Sequence, residues 1–229
     1  MRTYTMTRKH LPLDCLRRRL SSLPIYSLIL YGSIIRGDYI PGVSDVDVFV
    51  VLEKFNKRIL LRVEEAVEEC FTEFKPVEVD VAWELVENLD DPLKKGYPYK
   101  FLTVYREDFV ENHIVVLGND IIPPSYDFSV LLEERIKSIE RNLEKFKGNK
   151  KMMHILAGEV VRLWAFLNGA NLDKASVLKK LEELGDEAAL EIYGGYLNQR
   201  STKFSQDFLE EIIKEKLESL KKILMKTEK

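Results

Sequence analysis

Residues 25–52 read IYSLILYGSIIRGDYIPGVSDVDVFVVL, and this stretch decides the fold. Residues 25–31 form an apolar run of strand length that ends at Gly32-Ser33. Residues 45–52 alternate acidic with apolar side chains and then become wholly apolar, which is typical of a strand buried at one end and polar on one face at the other. The sequence therefore predicts two strands joined by a turn-rich segment.

Residues 53–117 continue the alternation of strand and helix signals. A helix is expected over residues 56–74, because apolar side chains recur there on one helical face. Residues 77–83, VEVDVAW, alternate again and predict a third strand. We expect a further helix within 99–110 and a short strand at 114–117. Together these elements predict a small mixed sheet flanked by helices.

The second half of the chain is almost entirely helical in pattern. Pro123-Pro124 marks the junction, since two prolines interrupt both a helix and a strand ladder. We therefore predict an α+β protein with a head of mixed strands and helices over 1–124 and a C-terminal helical bundle over 125–229. The bundle helices are expected at about 128–147, 151–168, 174–184, 186–199 and 205–226.

Three acidic residues form the first part of a candidate site. Asp45 and Asp47 are two positions apart on a predicted strand, so both carboxylates point to the same face. Asp80 lies on the third strand and adds a third carboxylate if the strands are neighbours. Closely packed carboxylates repel one another unless a cation neutralises them. Oxygen ligands without His or Cys favour Mg²⁺ or Mn²⁺.

Gly32 and Ser33 form the second part of the site. A strand that ends in Gly-Ser and turns into a helix presents backbone N–H groups to an anion such as the phosphates of a nucleotide. Arg36 has two interpretations, a phosphate contact or a surface pair with Asp38. Ser44 is a candidate nucleotide contact, but the interpretation that it caps the turn before the strand is favoured.

The segments LYGSIIRGDYIPGVSDVDVFVVL and VEVDVAWE together resemble the DNA polymerase beta-like nucleotidyltransferase superfamily. The resemblance implies that Asp45 and Asp47 hold metal ions and that Gly32 and Ser33 bind the triphosphate. It also implies that Asp80 is a third metal ligand or the base that deprotonates the acceptor hydroxyl. The implied reaction transfers a nucleoside monophosphate, AMP from ATP, and releases pyrophosphate.

The two-part plan resembles the aminoglycoside nucleotidyltransferases, which implies a small-molecule acceptor held between the head and the bundle. An alternative is a regulatory protein of the antitoxin type, which binds or adenylylates a partner protein. Nucleic acid is disfavoured as a partner because the formal net charge is −3. Glu159, on a predicted buried helix, either receives a cationic acceptor or pairs with Arg162, and the pairing is favoured.

The remaining features concern where the protein works. No stretch is long and apolar enough to span a membrane, and the N-terminal residues do not resemble a signal peptide. The two cysteines, Cys15 and Cys70, are expected to be free thiols in a reducing compartment. The sequence therefore predicts a cytoplasmic protein.

Overall fold

The computed structural model describes residues 11–74, 77–91, 104–198 and 203–227. Contacts divide the chain into two units, 1–125 and 126–229, with the boundary one residue beyond the predicted one. The first unit contains a mixed sheet flanked by helices and the second is helical, so the predicted α+β class is confirmed.

The sheet of the first unit has four strands in the order β3-β2-β1-β4. Its strands are β1 (Ser27–Tyr31), β2 (Asp45–Leu52), β3 (Glu78–Leu85) and β4 (His113–Gly118). β1 pairs antiparallel with both β2 and β4. β2 and β3 run parallel, so both begin at the same end of the sheet.

The helices of the first unit are α1 (Leu13–Leu20), α2 (Ser33–Arg36), α3 (Lys57–Cys70) and α4 (Arg106–Glu111). α3 makes the crossover that parallel strands require, and the Asn56 side chain caps it by accepting a hydrogen bond from the Arg58 N–H. One face of the sheet packs with α1 and α3 in a continuous apolar core. The other face has a smaller core in which Phe109 of α4 packs near Ile29 and Phe49.

Five helices make up the described part of the second unit. They are α5 (Phe128–Lys145), α6 (Lys150–Leu167), α7 (Lys174–Glu183), α8 (Glu187–Leu197) and α9 (Gln206–Thr227). Four of them begin at an Asp or Asn whose side chain accepts a first-turn N–H, namely Asp127, Asn149, Asp173 and Asp186. Within the described ranges, no helix combines the length and the apolar character that crossing a membrane requires.

Several predicted boundaries shift in the structure. The helix expected over 56–74 ends at Cys70, and a short 3₁₀ turn, Thr72–Phe74, follows. The third strand runs two residues further than expected, to Leu85. The helix expected within 99–110 is observed as α4, while residues 99–103 lie outside the described part of the chain.

The prediction of free thiols is wrong, because Cys15 and Cys70 form a disulfide with a Cα–Cα distance of 5.8 Å. The bond joins α1 to the last residue of α3. Since the two cysteines are 55 residues apart, the sequence did not show that these helices pack together. The argument for a reducing compartment therefore loses its basis, and the cytoplasmic location stays a prediction.

Candidate active site

The register of β2 and β3 brings acidic residues together on one face of the sheet. Asp47 lies opposite Asp80, and Asp45 lies opposite Glu78. Side chains two positions apart on a strand share a face, and neighbouring strands are about 5 Å apart. Four carboxylates therefore occupy adjacent positions at the start of two parallel strands. The structure places all three acidic residues predicted from the sequence in this group.

Two tyrosines report the electrostatics of this acidic face. Burial raises the pKa of the Tyr31 hydroxyl well above its ordinary value, and the charges of Asp47 and Asp80 raise it further. Burial also raises the pKa of Tyr39, with smaller contributions from Asp45 and Glu78. Both shifts follow from negative charge close to a buried phenol. The four carboxylates thus create a local negative field that a cation would relieve.

Gly32 makes close contact with this acidic group. Its backbone has φ 71° and ψ −147°, a conformation that favours glycine. A Cβ atom built on Gly32 would lie 2.3 Å from Oδ2 of Asp47. Glycine is therefore required here because the Asp47 carboxylate occupies the space that a side chain would need. The Gly-Ser turn and the acidic pair are parts of one site.

The backbone of the turn closes around Gly32 and Ser33. The carbonyl of Gly32 accepts hydrogen bonds from the N–H groups of Ile35 and Arg36, at 3.0 and 2.9 Å. Gly37 ends the short helix with φ 89°, and its N–H donates to the Ser33 carbonyl at 3.0 Å. The N–H groups at the start of a helix have no intrahelical acceptor. The start of α2 is therefore suitable for binding an anion.

Ser44 and Arg36 have identified partners in the structure. The Ser44 hydroxyl accepts a hydrogen bond from the Ile40 N–H at 3.0 Å, so it closes the turn before β2 as the favoured interpretation holds. Arg36 donates to Asp38 at 3.1 Å and to Asp108 at 2.6 Å. Asp38 was considered from the sequence, whereas Asp108 comes from α4, 72 residues along the chain.

Sequence reasoning missed Glu78, the fourth carboxylate of the acidic face. The signal was present, because VEVDV has the same two-residue period as DVD, and Glu78 precedes Asp80 by two positions. Glu84 lies further along the same strand and has a different role. It is buried, and its Oε1 accepts hydrogen bonds from the Leu85 N–H at 2.8 Å and from Nδ2 of Asn88 at 2.6 Å.

The donor atoms at the acidic face suit a hard cation. All four side chains offer carboxylate oxygens, which are the ligands of Mg²⁺ and Mn²⁺. Considering only the residues that the structure describes, no three His, Cys, Asp or Glu side chains are grouped tightly enough to hold a metal by themselves. Mg²⁺ commonly uses one or two carboxylates and completes its shell with water and substrate phosphates. The donor set fits that mode of binding.

Glu159 lies in the second unit and forms an ion pair. Its Oε2 accepts a hydrogen bond from Nη2 of Arg135 on α5 at 3.2 Å, a partner that the sequence analysis did not consider. The sequence analysis gave Glu159 two interpretations, a site for a cationic acceptor or a pair with Arg162, which follows at helical spacing. The structure assigns Glu159 a contact between two helices of the bundle.

Comparison with known proteins shows which family the first unit is similar to. The sequence profile of the nucleotidyltransferase domain family matches residues 13–117. That range contains α1 to β4 and every residue of the acidic face. Residues 13–117 are therefore similar to nucleotidyltransferase domains, in agreement with the resemblance that the sequence motifs indicated. A search of curated protein sequences gave no match.

A solved structure extends the likeness to both units. The chain is similar to spectinomycin adenyltransferase AAD(9) from Enterococcus faecialis, which was crystallised with ATP and spectinomycin. The TM-score is 0.62 at 14% sequence identity, over 91% of this chain and 96% of that chain. At this identity the similarity shows a shared fold.

Proposed function

We propose that the protein is a metal-dependent nucleotidyltransferase that transfers AMP from ATP to a hydroxyl group of a small-molecule acceptor. The observation that carries this proposal is the contact between the Gly32 backbone and the Asp47 carboxylate, with Asp80 on the neighbouring strand. It joins a turn suited to phosphates with carboxylates suited to Mg²⁺ or Mn²⁺.

Each residue of the site has a defined part in the proposed reaction. Asp45, Asp47 and Asp80 would hold the metal ions, which when bound would neutralise the phosphates and stabilise the charge that develops in the transition state. Gly32 and Ser33 bind the triphosphate through backbone N–H groups. The acceptor oxygen forms a bond to the α-phosphorus as the bond to pyrophosphate breaks, and the hydroxyl proton passes to a carboxylate.

Two carboxylates on β3 are candidates for that base. Asp80 faces Asp47, the carboxylate that lies against the Gly32 backbone, whereas Glu78 faces Asp45 at the beginning of the strand and one step further from that turn. Both side chains are exposed, so a substrate hydroxyl can reach them. We assign metal binding to Asp80 and acceptance of the hydroxyl proton to Glu78. If this is correct, Glu78→Gln abolishes turnover but retains nucleotide binding, while Asp80→Asn weakens metal-dependent binding.

The nature of the acceptor is proposed from the structural neighbour. Its crystals contain ATP together with spectinomycin, a small molecule with hydroxyl groups. Because this chain shares the fold over most of its length, we propose ATP as the donor and a small polyhydroxylated molecule as the acceptor. The acidic face would also favour an acceptor with a positive charge.

The test is a calorimetric titration of the protein with a non-hydrolysable ATP analogue, with and without Mg²⁺. We expect binding that requires Mg²⁺ and is lost in Asp47→Asn. GTP, CTP and UTP serve as comparisons for base preference, and pyrophosphate release then screens hydroxylated acceptors. No binding of any nucleotide, combined with co-purification of a small helical protein, would overturn the proposal and favour the regulatory alternative.

A further inference from the structure

The guanidinium group of Arg36 connects the Gly32-Ser33 turn to α4, a distant segment of the same domain. Arg36 is the last residue of α2, and its Nε donates to Asp38 while its Nη1 donates to Asp108 of α4. The three side chains are only 13%, 18% and 20% exposed. Partial burial of this kind reduces solvent screening, so the two ion pairs are stronger than ordinary surface pairs.

Both ends of this connection are anchored. Asp108 also accepts a hydrogen bond from Nδ2 of Asn112 at 3.1 Å, which fixes its carboxylate on α4. The next residue, Phe109, packs its ring 5.4 Å from the ring of Tyr31 on β1. α4 is therefore held against the face of the sheet that carries the acidic residues.

At the other end of the connection, hydrogen bonds from the backbone around Arg36 fix the conformation of the Gly32-Ser33 turn. The Arg36 N–H donates to the Gly32 carbonyl at 2.9 Å, and the Gly37 and Asp38 N–H groups both donate to the Ser33 carbonyl. A displacement of Arg36 would therefore move the peptide groups of Gly32 and Ser33. Since catalysis depends on geometry to within a fraction of an ångström, such a displacement has a functional cost.

We propose that Arg36 acts as a positioning residue, held between Asp38 and Asp108, and that it aligns the turn for the triphosphate without contacting the phosphates. This inference rests on the proposed function. The triplet of one guanidinium and two carboxylates has a net charge of −1, so it does not attract a triphosphate. Asp108 thereby contributes to nucleotide binding although it carries the same sign of charge as the ligand.

The direction in which one substitution changes the affinity for the ATP analogue tests this inference. If Arg36 bound phosphate, Asp108→Asn would free its charge and strengthen binding of the ATP analogue in the presence of Mg²⁺. If Arg36 positions the turn, the same change weakens binding, by about tenfold for the loss of one hydrogen bond between charged groups. Glu107→Gln is the matched control, because it removes the same charge from the adjacent, 82% exposed side chain.

A second variant covers the case in which Asp108→Asn fails to fold. Arg36→Lys keeps the charge but lacks the planar fork that reaches two carboxylates at once. We expect it to weaken binding as much as Asp108→Asn does, and the double variant to be no weaker than either single one. Retention of full affinity in Arg36→Lys, or tighter binding in Asp108→Asn, would overturn the inference.

Hydrogen exchange separates this inference from the proposed function, because it needs no ligand. We expect faster exchange of the Gly37 and Asp38 amides in Asp108→Asn and no change in Glu107→Gln. Unchanged exchange would overturn the positioning role. Absence of nucleotide binding by the unmodified protein would instead overturn the proposed function, whatever the exchange shows.

Discussion

Charged side chains are arranged differently on the acidic face of the first unit and around Lys216 in the second unit. On β2 and β3 of the first unit, carboxylates of like charge lie opposite one another, Asp47 beside Asp80 and Asp45 beside Glu78. In the second unit, buried charge is matched. Lys216 is only 3% exposed, and its Nζ donates to Asp186 at 2.5 Å and to Glu215 at 2.8 Å.

The difference distinguishes a functional group of charges from a structural one. Burial acts to lower the pKa of Lys216, but its hydrogen bonds to Asp186 and Glu215 outweigh that effect and raise the pKa above the ordinary value. The positive charge of Lys216 is therefore balanced by the carboxylates of Asp186 and Glu215. Asp47 and Asp80, in contrast, carry like charge at facing positions, and a bound cation would lower the electrostatic cost of holding them together.

The largest effect should come from removing one of the like charges. Asp47→Asn is expected to lower turnover by at least about 10³-fold, because a ligand of the catalytic metal is lost. The free energy of unfolding without metal should stay the same or rise, since repulsion with Asp80 is removed. Pyrophosphate release and urea unfolding measure the two quantities. Asp14→Asn, the same change at a 94% exposed site, is the control and should alter neither.

The next effect concerns the opposite side of the sheet, where the disulfide joins α1 to α3. Replacing both cysteines, Cys15→Ser with Cys70→Ser, should lower the free energy of unfolding by about 4 kcal/mol, from the loop-closure entropy of 55 residues. Nucleotide binding below the unfolding transition should be unchanged, because neither cysteine lies on the acidic face. Equal stability of the wild-type protein with and without reductant would contradict the disulfide.

Breaking a matched pair in the second unit should affect stability alone. Lys216→Met leaves Asp186 without its cation in a largely buried position, which costs about 3 kcal/mol. Lys214→Met is the matched control on the same helix, since Lys214 is 61% exposed and its 3.6 Å pair with Glu210 contributes little. Chemical unfolding of both variants tests the comparison, and equal losses would show that burial of the pair is unimportant.

The sequence predicted those parts of the molecule that depend on local patterns. β2 begins and ends where the alternation of Asp and Val predicted it, and the Gly32-Ser33 turn follows β1 directly. Both signals are carried by residues close together in the chain. The carboxylates at 45, 47 and 80 lie on one face because a strand has a side-chain period of two.

The parts that sequence reasoning missed depend on contacts between distant segments. The Cys15–Cys70 bond spans 55 residues, and the contact of Arg36 with Asp108 spans 72. Neither leaves a local pattern, because each requires two helices to pack as the folded domain places them. Glu78 is different, since the period that identified Asp80 also covered it.

The smallest expected effect is a pH dependence in the second unit. Burial lowers the pKa of His154, and nearby Lys150 lowers it further, while a hydrogen bond from Nε2 to the Ile192 carbonyl at 3.1 Å opposes the change. Near pH 6.5 the His154 side chain is therefore protonated to a greater extent in the unfolded chain than in the folded protein. By linkage, the free energy of unfolding falls as the pH decreases below about 6.5. Melting temperatures between pH 7.5 and 5 should show this slope, and His154→Gln should reduce it. A slope that is unchanged in His154→Gln would mean that other groups, such as the carboxylates of the first unit, govern acid stability.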